Sequence, residues 1–113
     1  METYVSRAIE EARKSHMTQK HGAVIISNDR KFVTGHNDYN DVSLRKKSSI
    51  HAEHRAIKLA LQANINLKRC KLVVVRISNH NKLMYSEPCV NCKKLIEKHG
   101  VPMVYYSKED QQD

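Results

Sequence analysis

The chain has 113 residues, 40% of them hydrophobic, which is enough for one core and too little for two, so residues 1–113 are interpreted as a single domain. Three cysteines are too few for a disulfide framework, and no apolar run approaches the roughly 18 residues of a membrane span, so we expect a cytoplasmic protein that does not enter a membrane. The net charge of +8 suits an anionic partner, either a nucleotide phosphate or a nucleic-acid strand, or it serves solubility alone.

The hydrophobic pattern predicts elements in the order α-β-β-α-β-α-β. Apolar residues at helical spacing predict amphipathic helices over residues 3–15 and 51–63, and a third helix is expected to begin at Cys89. The stretch from Asp38 to Ser49 is interpreted as a polar loop. Short apolar runs predict strands at residues 23–26, 32–35, 72–77 and 102–106. This order implies an α/β fold, a three-layer α/β/α sandwich with a mixed sheet of four to five strands.

Two short motifs, His51-Ala52-Glu53 and Pro88-Cys89-Val90-Asn91-Cys92, contain side chains of the types that commonly bind metal ions. They supply one imidazole, two thiols and one carboxylate, and the two cysteines, three residues apart, share one face of a helix. A catalytic zinc ion takes three protein ligands and keeps a fourth position for water. We therefore predict that Zn²⁺ is bound by His51, Cys89 and Cys92. Glu53 needs to reach only the water, which makes it the candidate general base.

The alternative is a closed structural zinc site that uses Cys70 as a fourth ligand. Cys70 lies just before an apolar run without a second ligand beside it, so we interpret it as a small, partly buried thiol with no role in the site. A structural zinc also has no use for the carboxylate of Glu53, which argues against a non-catalytic zinc-stabilised subunit.

With both motifs in this order, the chain resembles the cytidine deaminase-like superfamily, whose members deaminate cytosine, cytidine, deoxycytidylate, guanine, or bases within RNA and DNA. The resemblance extends from about Gly22 to Ser107. Residues 22–26 and 34–37 are similar to the strand pair that precedes the first motif in deoxycytidylate deaminases and tRNA adenosine deaminases. The resemblance implies zinc on His51, Cys89 and Cys92, with Glu53 as the proton shuttle.

The same resemblance implies how the substrate is held. Asn37 falls where the family uses an asparagine to hold a sugar hydroxyl or the base. The backbone N–H groups of Ala52 and Cys89, at helix starts, are expected to hold the water-derived oxygen as it attacks the base. Free-cytidine members often place a base-stacking ring before the glycine that corresponds to Gly22. Here that ring is expected to come from Tyr39, His21 or His36.

The function that the resemblance implies is zinc-dependent hydrolytic deamination of a cytosine-type base, in cytidine, deoxycytidine or their monophosphates, to the uracil form. The alternatives are a nucleic-acid-editing deaminase acting on cytosine or adenine, a guanine deaminase, and a non-catalytic zinc-stabilised binding subunit. The small chain, with no Trp, one Phe and five Tyr, favours a free nucleoside or nucleotide, because enzymes that act on single-stranded nucleic acid usually stack its bases on aromatic rings. The basic run Arg45-Lys46-Lys47 is either a phosphate clamp or a solvated loop.

Family members usually continue into a fifth strand and a further helix, whereas only residues 108–113 follow the fourth predicted strand. The wall of the pocket that those elements supply is then missing or comes from a neighbouring subunit. We expect a homodimer or homotetramer.

Overall fold

The computed structural model describes residues 2–39 and 49–109, and for Glu2, Tyr39 and Ser49 it describes the backbone alone. In chain order the elements are α1 (Glu2–Arg13), β1 (Lys20–Ser27), β2 (Phe32–His36), β3 (Asp38–Tyr39), β4 (Ser49–Ile50), α2 (Ala52–Gln62), β5 (Cys70–Ile77), β6 (Leu83–Met84), α3 (Val90–Lys98) and β7 (Met103–Tyr106). A short 3₁₀ helix, Leu67–Arg69, precedes β5. Within the described ranges, none of the helices has both the length and the apolar character that crossing a bilayer requires.

Strands β1 and β5 form the centre of a five-stranded mixed sheet. They pair antiparallel along their whole length, from Lys20 opposite Ile77 to Ser27 opposite Cys70. β2 pairs antiparallel with the other edge of β1. The far edge of β5 is shared, because β7 pairs parallel with its first half and β6 pairs antiparallel with its end. β3 and β4 form a separate two-stranded pair just before α2.

Helices cover both faces of this sheet and give the fold three layers. On one face, Ala8 and Ala12 of α1 pack against Val24, Ile26, Val73, Val75 and Ile77. On the other face, α2 and α3 pack against Ala23, Ile25, Leu72 and Val74. Because β5 is buried on both faces, its sequence is apolar at successive positions instead of alternating. The predicted three-layer α/β/α sandwich with a mixed sheet of four to five strands is confirmed.

Three short strands distinguish the structure from the predicted element order. β3 and β4 are the two ends of residues 38–50, of which the sequence pattern predicts residues 38–49 to be a loop. Arg45-Lys46-Lys47, in the middle of that stretch, lies outside the described residues. β6 lies in the segment that leads into the third helix. Each of the three strands has two residues, which is too short for a period-two pattern to reveal.

Two glycines allow helices to approach the sheet closely. A Cβ atom at Gly22 would overlap the backbone of α1. A Cβ atom at Gly35, in β2, would lie 2.8 Å from the backbone nitrogen of Ala56 and 3.0 Å from the carbonyl oxygen of Ala52, both in α2. Glycine is the residue that permits such an approach, because it has no side chain. Gly35 therefore sets how closely the first turns of α2, next to His51, lie against the sheet.

Candidate active site

The two motifs are placed at the beginnings of two helices. His51 is the N-cap residue of α2, and Cys89 is the N-cap residue of α3. Their carbonyl oxygens accept the first helical hydrogen bonds, from the backbone N–H groups of Arg55 and Lys93. An N-cap side chain commonly bonds to the first turn of its helix, but the side chains of His51 and Cys89 do not. Both side chains are instead available as metal ligands.

His51, Cys89 and Cys92 form the one cluster of candidate metal ligands in the described part of the chain, with their donor atoms all within 4.8 Å of one another. The Nδ1 atom of His51 lies 3.2 Å from the Sγ atom of Cys92 and 3.7 Å from that of Cys89. Zinc bonds of about 2.0 Å to nitrogen and about 2.3 Å to sulfur put tetrahedral donors about 3.5 Å apart. The donor set and its spacing therefore fit Zn²⁺, and three protein donors leave a fourth position for water.

Glu53 lies beside this cluster in the first turn of α2 and is 4% exposed. Burial raises the pKa of the Cys92 thiol far above its usual range, and the charge of the nearby Glu53 adds to the rise. A divalent cation acts in the opposite direction, because it stabilises the thiolate. The ligand cluster itself does not include Glu53. The carboxylate is thus close to the metal position without belonging to the ligand set.

A cavity of about 470 Å³ adjoins the cluster. This volume is within the range of roughly 300–1,000 Å³ that is typical of small-molecule sites. The lining residues come from both motifs, from the segment between α1 and β1, and from the end of β2. They are Met17, Thr18, Gln19, His21, Asn37, His51, Ala52, Glu53, Glu87 and Cys89. The cavity thus brings together the metal cluster, Glu53 and the three residues predicted to contact substrate, Asn37, Ala52 and Cys89.

Asn37 follows β2 and is 6% exposed. Its Oδ1 atom accepts a hydrogen bond from the backbone N–H of His21 at 2.8 Å, and its Nδ2 atom donates to the carbonyl oxygen of Gln19 at 2.6 Å. These bonds hold the amide in one orientation. An amide oxygen has two acceptor positions, so one of them remains for a hydrogen-bond donor of a ligand.

Glu87 also lines the cavity, next to the Cys89 motif. One of its carboxylate oxygens accepts a 2.7 Å hydrogen bond from the Tyr85 hydroxyl, and the other accepts one from Lys93 at 3.1 Å. The bond from Tyr85, with Lys93 contributing, holds the pKa of Glu87 below its usual range, and the same bond raises the pKa of Tyr85 to about 12. The sequence gives no signal for this role of Glu87 beyond its position before Pro88.

The remaining residues considered in the sequence analysis are Cys70 and the three candidate base-stacking rings. Cys70 is buried at the start of β5, where its thiol donates to the carbonyl oxygen of Asn66, and the ligand cluster does not include it. Of the rings expected to stack on the base, His21 lines the cavity. His36 is instead directed to Glu11, with 2.7 Å between its Nδ1 atom and the carboxylate. The side chain of Tyr39 lies outside the described part of the chain.

Comparison with known proteins decides the family. Residues 1–108 match the family described as the cytidine and deoxycytidylate deaminase zinc-binding region. The chain belongs to this family. It is therefore a deaminase of a hydrolytic class, as the resemblance implied, and its cofactor is Zn²⁺, for which the His–Cys–Cys cluster is suitably arranged.

Several solved structures share the fold of this deaminase. Cytidine deaminase from Burkholderia pseudomallei is 22% identical with a TM-score of 0.77, over 99% of this chain and 87% of that chain. The dCMP deaminase from the cyanophage S-TIM5, in complex with dCMP and dUMP, is 23% identical with a TM-score of 0.70, over 93% and 78% of the two chains. A diaminohydroxyphosphoribosylaminopyrimidine deaminase/reductase from Thermotoga maritima is 26% identical with a TM-score of 0.66, over 93% of this chain and 28% of that chain. Comparison with curated proteins finds no match.

Proposed function

We propose that this deaminase hydrolyses the exocyclic amine of a cytosine-type base, in cytidine, deoxycytidine or their monophosphates, to give the uracil form and ammonia. The observation that carries the proposal is the buried carboxylate of Glu53 beside the His51–Cys89–Cys92 cluster, both at one cavity. Cytidine deaminases and a dCMP deaminase are among the proteins of similar fold, which supports a cytosine-type substrate.

We propose His51, Cys89 and Cys92 as the zinc ligands and Glu53 as the catalytic acid and base. When bound, Zn²⁺ supplies a Lewis acid that makes water nucleophilic near neutral pH. Glu53 accepts a proton from the water that attacks C4 of the base and delivers it to the adjacent ring nitrogen. The same carboxyl group then moves the second proton to the departing amine, which leaves as ammonia while the carbonyl at C4 forms.

The substrate contacts follow from groups that have no partner within their helices. The first backbone N–H groups of a helix are not bonded inside it, so those of Ala52 and Cys89 are proposed to donate to the oxygen that forms at C4. Asn37 is proposed to accept from a sugar hydroxyl or from the base with its remaining acceptor position. Its own two hydrogen bonds, to His21 and Gln19, hold that acceptor in place before the substrate arrives.

We also propose that the deaminase is a cytoplasmic homodimer or homotetramer. Among the described strands, β7 is paired with β5 alone, and its Met103 and Tyr105 are 42% and 39% exposed. Natural proteins usually cover an edge strand with exposed apolar side chains, and a second subunit is one means of doing so. Three free thiols fit a reducing compartment such as the cytoplasm.

A single-stranded nucleic acid is the second candidate substrate, and the net charge of +8 favours it. The cavity itself favours a nucleoside or nucleotide. Its charged lining residues are Glu53 and Glu87, and neither a lysine, an arginine nor a Phe, Tyr or Trp ring is part of the described lining. Proteins that bind strands combine a basic groove with aromatic platforms for the bases.

Product detection tests the proposed function. Zinc-loaded protein is incubated with cytidine, deoxycytidine, their monophosphates, guanine, adenosine and single-stranded oligonucleotides, and the products are separated by chromatography. We expect the uracil form and an equimolar amount of ammonia from at least one free cytosine-type substrate. Turnover of adenosine, guanine or oligonucleotides alone, or of none of these compounds, contradicts the proposal.

A further inference from the structure

One wall of the cavity lies between α1 and β1 and belongs to neither a helix nor a strand. Its three residues, Met17, Thr18 and Gln19, all line the cavity. A segment of this kind has no ladder of backbone hydrogen bonds along it, so its shape depends on contacts with other parts of the chain. The contacts that hold this wall therefore determine how well the cavity is formed before a ligand arrives.

The wall is attached at both ends to two successive residues, Asn37 after β2 and Asp38 at the start of β3. At the end of the wall, the Nδ2 atom of Asn37 donates to the carbonyl oxygen of Gln19 at 2.6 Å. Just before its start, the Nδ1 atom of His16 lies 2.9 Å from the Oδ2 atom of Asp38. A carboxylate accepts hydrogen bonds, so the imidazole is the donor in this contact. Asn37 and Asp38 thus bracket the three wall residues.

His36 connects the carboxylate of Asp38 to α1. The Nδ1 atom of His36 lies 2.7 Å from the carboxylate of Glu11, and its Nε2 atom lies 3.7 Å from the Oδ2 atom of Asp38. One oxygen of Asp38 therefore lies between two histidine rings. The side chains of His36 and Asp38 are both 18% exposed, whereas that of His16 is 81% exposed. The contact with His16 is thus the part of this network that a substitution can remove without opening the core.

We propose that Asp38 is a positioning residue that holds the cavity wall, residues 17–19, in its binding conformation through His16. The inference rests on the proposed function, and it deepens that function by identifying what orders the substrate site. A wall that is already ordered lowers the cost of binding, because the substrate does not have to order it. Asp38 is not part of the described cavity lining, so it acts through the wall and not on the substrate itself.

The test compares His16→Ala, His16→Asn and Asp38→Ala with the matched control His80→Ala, which changes an exposed histidine in the turn before β6. For the best cytosine-type substrate, we expect KM to rise about threefold in His16→Ala and about tenfold in Asp38→Ala. The value of kcat and the zinc content should stay unchanged, because neither residue belongs to the ligand cluster and both variants keep the backbone pairing of β3 with β4.

Two further variants separate a positioning role from an inconsequential surface ion pair. His16→Asn supplies an amide N–H close to the position of Nδ1, so it should restore most of the wild-type KM, whereas His80→Ala should have no effect. In the double variant His16→Ala/Asp38→Ala, KM should rise no further than in Asp38→Ala alone, because both changes act through one contact. Since the His16 side chain is exposed, His16→Ala should keep a melting temperature close to that of the wild type.

Amide hydrogen exchange, followed by mass spectrometry on zinc-loaded protein, tests the wall itself and needs no substrate. Exchange in residues 17–19 should be faster in His16→Ala and Asp38→Ala than in the wild type, and unchanged in His80→Ala. Unchanged exchange in the two variants, or faster exchange with an unchanged KM, overturns the inference. A wild-type protein that deaminates no cytosine-type compound overturns the proposed function instead, and the exchange rates then still decide whether Asp38 holds the wall.

Discussion

Gly35 of β2 lies so close to Ala56 of α2 that a Cβ atom on the glycine would be 2.8 Å from the backbone nitrogen of the alanine. The helix begins directly after His51, so its distance from the sheet determines how far the imidazole lies from the two cysteines on α3. Gly35 is not itself a metal ligand, but the addition of one methyl group at this position is therefore expected to displace the backbone of α2 and with it the metal site.

We expect Gly35→Ala to lower the free energy of unfolding by about 1–3 kcal/mol, the usual cost of overpacking, and to lower the zinc content of the purified protein. Urea denaturation and metal analysis measure the two effects. Lys31→Ala, just before β2 and exposed, is the control and should change stability by less than about 0.5 kcal/mol. Wild-type stability and zinc content in Gly35→Ala would show that α2 does not depend on this approach.

A second prediction concerns Glu11, a carboxylate of α1 that is 8% exposed. It pairs with the Nδ1 atom of His36 at 2.7 Å and with the Lys14 ammonium at 3.1 Å. Burial by itself raises the pKa of Glu11, but the hydrogen bonds from His36 and Lys14 outweigh it and hold the pKa below 4.5. A carboxyl group whose pKa is lower in the folded than in the unfolded state stabilises the fold at pH values above its unfolded-state pKa. This stabilisation is lost as the pH falls through its folded-state pKa.

The wild-type free energy of unfolding should therefore fall below about pH 4.5 more steeply than that of Glu11→Gln. Near pH 7 the same substitution should lower the free energy of unfolding by about 1–3 kcal/mol, because it removes the buried carboxylate that pairs with the Nδ1 atom of His36 and with Lys14. Chemical denaturation at a series of pH values measures both effects, with Glu10→Gln as the exposed control on the same helix. Parallel pH profiles for the wild type and Glu11→Gln would contradict the assignment.

Much of this architecture is predictable from the sequence, because its signals are local. The apolar run in β5 predicts a strand covered on both faces, and the spacing of Cys89 and Cys92 predicts two sulfurs on one side of a helix start. The chain contains no local signal for the cavity wall at residues 17–19, because that segment has neither a periodic pattern nor a ligand motif. The hydrogen bonds that Glu87 accepts from Tyr85 and Lys93 are likewise not predictable, because these contacts exist only once β6 and α3 are in place.

The exposed apolar side chains of β7 lead to a prediction about assembly. Light scattering should give the mass of a dimer or a tetramer for the wild type. Tyr105→Lys should shift the protein towards the monomer, because it places a charge on the edge strand. Leu61→Lys makes the same kind of change on α2, where the leucine is 47% exposed, and should leave the mass unchanged. A fully active monomeric wild type would contradict the oligomer.

The basic residues 45–47 lead to a prediction about substrate size. If they clamp one phosphate, replacing all three by glutamine should lower kcat/KM for a monophosphate and spare the nucleoside, with a shallow salt dependence. Replacing Lys94, Lys98 and Lys108, which are exposed, removes the same charge elsewhere and should have little effect. If a strand is bound instead, log affinity should fall with log salt at about −0.7 per phosphate contact. A steep slope together with deaminated oligonucleotide would reverse the assignment to free nucleotides.

The most direct test of the central claim is the zinc content and the turnover of Glu53→Gln, measured on one preparation. The account predicts about one zinc per chain, as in the wild type, since Glu53 lies outside the ligand cluster. It also predicts a loss of turnover greater than ~10²-fold, because glutamine cannot move a proton between water and base. Glu97→Gln, exposed on α3, is the control and should match the wild type in both respects. Turnover that survives in Glu53→Gln, or zinc that is lost from it, would contradict the assignment of Glu53 as the proton shuttle beside a three-ligand zinc site.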